Sequence, residues 1–135
     1  MSLDRDALIH MVETTYFDSV RRGDMATVLG CFSDDAEIRV YRGDEALQHF
    51  AAQPAEGQQP LSAYFQYVFD HYDVSYSDFE HVVEPDAARI ASTFIVHLRL
   101  RQEPDAAPQS LYNCNFFFLA GERFRRVVIH YANPG

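Results

Sequence analysis

Residues 16–40 read YFDSVRRGDMATVLGCFSDDAEIRV, from Tyr16 to Val40. Within them one helix ends, a second begins two residues later, and a strand follows. Just upstream, Leu8, Val12, Tyr16 and Val20 recur four residues apart, with Met11 and Thr15 beside them, which makes one apolar stripe on an amphipathic helix. Gly23 tolerates the left-handed conformation that closes a helix, and Arg21 and Arg22 suit the negative end of its dipole. The Asp24 carboxylate can accept the free N–H groups of the helix that follows. Met25, Val28, Leu29 and Phe32 carry that second, shorter helix onto the same core. After a polar break at Ser33-Asp34-Asp35, Ile38 and Val40 alternate with Glu37 and Arg39, as in a half-buried strand reaching Tyr41.

Further along, Gly43 and Asp44 break the pattern, and Glu45 to Ala52 reads as a short helix with Leu47, Phe50 and Ala51 on one side, bordering any cavity in the core. Residues 53–60 (QPAEGQQP) read as a loop. Pro60 then opens a third main helix that runs to Asp73, with Leu61, Tyr64, Phe65, Val68, Phe69 and Tyr72 on its apolar face. From there the period becomes two. A strand over 74–84 ends at Pro85, which has no N–H for a ladder, and a turn runs through Ala88. The strand over 89–101 sets Ile90, Phe94, Val96, Leu98 and Leu100 against Arg89, Thr93, His97, Arg99 and Arg101. After a loop over 102–109, residues 110–120 and 123–131 form a hairpin around Gly121-Glu122. Helices first and long strands afterwards predict one α+β domain over residues 1–135, with the helices on one face of a curved antiparallel sheet.

Composition narrows the function. The 135 residues carry 11 basic and 20 acidic side chains, net −9, which argues against a nucleic-acid or anionic-membrane partner. Arg123, Arg125 and Arg126, the one basic cluster, read as a solvated strand edge. No stretch approaches the ~20 apolar residues of a membrane span, so a soluble cytoplasmic protein is expected. Eleven Phe and eight Tyr suit an aromatic-lined interior. Cys31 and Cys114, in apolar contexts without metal-ligand spacing, read as free buried thiols. In the strand over 110–120, Asn113, Asn115, Phe117 and Leu119 share one face and Tyr112, Cys114, Phe116 and Phe118 the other. Helices cover only one face, so a second copy is expected over the other, making a homodimer.

Tyr16, Gly23-Asp24, Phe32-Ser33-Asp34-Asp35-Ala36, Gly43-Asp44-Glu45-Ala46-Leu47 and the hairpin ending at His130-Tyr131 together resemble the nuclear transport factor 2-like fold. The likeness is to the branch that holds the SnoaL-like polyketide cyclases and the ketosteroid isomerases, and it spans nearly the whole chain. It implies a cone-shaped (cystatin-like) α+β fold, a curved antiparallel sheet wrapped around the N-terminal helices. In the isomerases an oxyanion-donating tyrosine stands eight residues before the aspartate of the Gly-Asp pair, as Tyr16 does before Asp24. A second, acidic donor on the penultimate strand falls at Asn115, whose amide can donate without any pKa shift. The general base falls at Val40, which cannot take a proton. The 3-ketosteroid isomerase reaction therefore lacks its base here.

The candidate catalytic residues are accordingly Tyr16 and Asn115. Val40, Tyr64, Phe94, Asn113, Phe117, Val127 and Tyr131 are the candidate ligand-binding lining, suited to a small hydrophobic molecule with a carbonyl or hydroxyl group. Isomerase or cyclase chemistry and non-catalytic ligand binding both remain open. His97 and His130 fall on the strand faces turned from the core, and Asp34 and Asp35 suit turn and capping roles. His71 lacks HxxxH or HxH spacing, so no metal is expected. No cofactor motif is present in the sequence.

Overall fold

A computed structural model describes residues 3–131. The first helix is wound in three consecutive segments, Arg5–His10, a wider π-helical Met11–Phe17, and Asp18–Arg22. Its stripe of Leu8, Val12, Tyr16 and Val20 is buried, with Phe17 added by the widened turn. Gly23 closes it at φ 69°, and the Asp24 carboxylate caps the second helix, Met25–Gly30, through the Thr27 backbone N–H. The third helix, Leu61–His71, stops two residues earlier than its apolar spacing predicts, because Tyr72 already pairs with Leu100.

Seven strands form one sheet: β1 (Phe32–Arg42), β2 (Gln48–Ala51), β3 (Gln59–Pro60), β4 (Tyr72–Glu84), β5 (Arg89–Leu100), β6 (Gln109–Ala120) and β7 (Arg123–Tyr131). Their spatial order is β3-β2-β1-β7-β6-β5-β4. Long antiparallel neighbours make up one side, whereas β1 joins β7 in parallel. The polar break falls inside β1: Phe32 pairs with Phe124 and Glu37 with Arg126, so residues 33–36 loop out of register.

Two expectations are corrected. Residues 48–51 are a strand rather than a helix, because the open edge of β1 offers Val40, Arg39, Ile38 and Glu37 as pairing partners, and this burial of Phe50 and Ala51 outweighs local helix propensity. The arginines of β7 do not lie on a strand edge. β7 is flanked by β1 and β6, Arg126 pairs with Glu37 at 3.0 Å, and Arg125 and Arg126 lie over the Phe118 ring. In β4, Asp78 adopts φ 57° where the pairing slips between Ser77 and Glu80. That one-residue bulge switches face, so Phe79, His81 and Val83 turn inward after Val74 and Tyr76.

One core cluster joins the three helices to the inner face of the sheet. The sheet's outer face stays open where Tyr112 and Phe116 are exposed. Among the described residues, no helix is long and apolar enough to cross a membrane.

Candidate active site

Alternation and register sort the inner face into rows across the strands. The deepest, Ile90–Phe117–Val127–Ile38, is fully packed. The rings of Tyr16, Phe32, Phe65, Phe117 and Phe124 close that end in edge-on and tilted contacts of 4.9 to 6.1 Å. The second row is Ser92–Asn115–Ile129–Val40, and the third is Phe94–Asn113–Tyr131–Arg42. Above the packed end, the first and third helices part from β4–β7 and leave a cavity of about 240 Å³. Buried side chains make its floor, among them Tyr16, Tyr64, Phe94, Asn113 and Asn115. Its mouth is formed by the half-buried or exposed Arg42, Glu45, Tyr67, Tyr72, Gln109 and Tyr131.

Tyr16, Asn115, Tyr64, Phe94, Asn113 and Tyr131 therefore come together around one space. Val40, Phe117 and Val127 do not reach it. Phe117 and Val127 belong to the packed row, and Val40 is sealed between Ile129 and Gln48. The lining also takes in residues not anticipated from sequence. Tyr76 could have been found by counting in twos from Val74, and Arg42 by counting in twos from Ile38 and Val40.

The floor is polar in a specific way. Asn113 and Asn115 are 3% and 2% exposed, and the Oδ1 atom of each is buried without a hydrogen-bond partner. No side-chain hydrogen bond among the described residues engages the Tyr16 hydroxyl either. Tyr64 and Tyr131 instead bond to each other, hydroxyl to hydroxyl, at 2.7 Å. Burial, and then the neighbouring tyrosines, raise the Tyr16 and Tyr64 hydroxyls well above the usual phenol range, and burial raises Tyr76 too. All three stay protonated at neutral pH and can act as donors but not as bases. Of the lining residues, only Arg42 and Glu45 carry charge by type, and both stand at the mouth.

The remaining candidates lie outside this space. His97 bridges Ser77 and Ser110 at 2.8 Å each, and His130 stacks on Tyr41. His71 bonds to the Tyr67 carbonyl. Among the described residues no group of His, Cys, Asp or Glu could hold a metal ion. Cys31 and Cys114 are free, and burial pushes the Cys31 thiol up to about 11. A three-residue network not foreseen from sequence sits beside the cavity: His81 bonds to Ser92 Oγ at 2.7 Å through Nδ1 and to Glu13 at 2.5 Å through Nε2.

The helices and the curved sheet thus enclose an aromatic cavity with a polar floor. Residues 14–127 match the model of the SnoaL-like domain, and the chain belongs to that family. No curated protein matches the sequence. Solved structures share the fold at low identity. A candidate polyketide cyclase from Xanthomonas campestris pv. campestris is 18% identical, with TM-score 0.71 over 95% of this chain and 92% of that one. A protein of unknown function with a cystatin-like fold from Methylobium petroleophilum PM1 is 16% identical, with TM-score 0.73 over 100% and 82%. The epoxide hydrolase/cyclase-like enzyme SalBIII, which has a role in pyran ring formation in the polyether salinomycin, is 15% identical, with TM-score 0.70 over 96% and 93%.

Proposed function

We propose that the cavity takes up a small, largely apolar molecule by a carbonyl or hydroxyl group and performs isomerase- or cyclase-type chemistry on it without a cofactor. The observation that carries this reading is the uncommitted trio on the floor, Tyr16, Asn113 and Asn115, buried in an otherwise aromatic space. Buried polar groups without partners are costly to keep, and a ligand hydroxyl that donates to the Oδ1 atoms of Asn113 and Asn115 offsets that cost. Tyr16 and Asn115 would donate to an oxygen that gains negative charge as the reaction proceeds. Ring closure suits such a site, since a substrate hydroxyl can add to a polarised carbonyl of the same molecule once both are held in place, its proton ending on the former carbonyl oxygen. The SnoaL-like family and the cyclase-like neighbours support the same direction.

A second reading, binding without turnover, is favoured by one fact: no lining residue on the floor can take up a proton at neutral pH. The bicyclic ketone 2-tetralone separates the two. Saturable binding seen by NMR, with α-proton exchange in D2O accelerated by the protein, solvent taking the proton while Tyr16 and Asn115 stabilise the enolate oxygen, and lost in Tyr16→Phe, is the result expected of the enzyme. Binding with no acceleration selects the binding module, and a cavity that ignores the ketone sinks both.

A further inference from the structure

Arg42 continues the inner face of β1 two residues beyond Val40, where Ile38 and Val40 have set an apolar pattern. Its register partner is Tyr131, and its guanidinium lies over the Tyr131 ring at 4.6 Å. The ring is fixed in turn by the bond from its hydroxyl to Tyr64. Arg42 Nε is buried without an acceptor, as is that of Arg39, but among the described residues Arg42 enters no ion pair, whereas Arg39 and Arg126 on the outer face both pair with Glu37. A guanidinium held over an aromatic ring still has terminal N–H donors that can meet a carboxylate in pairs. Glu45, the other charge at the mouth, is exposed and therefore screened by water. The protein as a whole carries −9 and repels anions, so a cation kept at one rim and left unneutralised marks a local exception.

We propose that Arg42 selects ligands bearing a carboxylate at the end opposite the group held by Tyr16, Asn113 and Asn115. The ligand class is then a small amphipathic acid, with an apolar ring body against Phe94 and Val96, a polar oxygen on the floor, and an anionic end at the rim on Arg42. This rests on the cavity being the binding site, as argued above, and adds the charge that the site reads.

Two probes of nearly one shape, 2-naphthoate and 2-naphthamide, test it when titrated into the intact protein by NMR, with displacement by 2-tetralone confirming the site. The acid should bind about tenfold or more tighter than the amide, the range of one charge-assisted hydrogen-bonded contact. Arg42→Gln should remove that preference by weakening the acid and leaving the amide within about threefold, while Arg42→Lys keeps part of it. Amide binding with no preference for the acid overturns the role of Arg42 and leaves the cavity reading intact. Equal losses of acid and amide in Arg42→Gln also overturn it, since Arg42 would then only shape the rim. If 2-tetralone binds and neither probe does, this inference fails and the cavity reading stands; if none of the three binds, both fail.

Discussion

At Tyr16 the ring and the hydroxyl can be separated. The ring meets Phe17, Phe32, Phe65, Phe117 and Phe124 edge-on, while among the described residues no side-chain hydrogen bond holds the hydroxyl. Tyr16→Phe should therefore leave stability within about 1 kcal/mol, since the ring packing is kept and no protein hydrogen bond is lost, yet weaken 2-tetralone binding. Urea unfolding and the NMR titration read the two effects separately. His81 is the converse case. Its side chain is 6% exposed and both ring nitrogens are engaged, tying β4 to Ser92 on β5 and Glu13 on the first helix. His81→Ala should cost about 1–3 kcal/mol in urea unfolding, the range for leaving buried partners unsatisfied, with no loss of 2-tetralone affinity.

Two backbone devices set the elements. Gly23 stands at φ 69° with open space where a Cβ would point, so Gly23→Ala should lose about 1 kcal/mol through backbone strain alone, measurable by urea unfolding. Deleting Asp78 is predicted to be far worse, because removing the bulge returns Phe79, His81 and Val83 to the outer face. The expected result is a broad, early thermal transition. The difference between these two devices also shows what could be read from sequence. Gly23-Asp24, the stripe from Leu8 to Val20 and the hairpin around Gly121 are local signals, and each stands in the structure as read. Residues 48–51 and the bulge at Asp78 depend on partners far away in the chain, the free edge of β1 and the face of the first helix, which no short window contains. The same holds for the cavity. Alternation identifies which side chains face inward, but the depth at which packing ends depends on how rings from five elements fill the narrow end, and so Val40, Phe117 and Val127 could not be told from Asn115 and Ile129.

For the whole molecule, the buried phenols and thiol make stability sensitive to base. Cys31 reaches about 11 in the folded state, and Tyr16, Tyr64 and Tyr76 also lie above their ordinary values. Their folded-state values exceed the unfolded ones, so the unfolded chain releases protons first, and stability should be intact below about pH 9 and fall as the pH rises through 9 to 11 and beyond. Urea midpoints across that window check the sign, which is wrong if the midpoint climbs. The exposed Tyr112 and Phe116 on the outer face give the expectation of a homodimer its own check: sedimentation should show two copies for the parent chain and one for Phe116→Glu. The parallel seam between β1 and β7 has a further consequence, in time. During synthesis β1 emerges with only β2 to pair with, and its other edge waits until residues 123–131 leave the ribosome. Long-range closure of that kind is slow. A chain paused before residues 123–131 are released would hold its aromatic core open along one edge, exposed to chaperones and to other nascent chains.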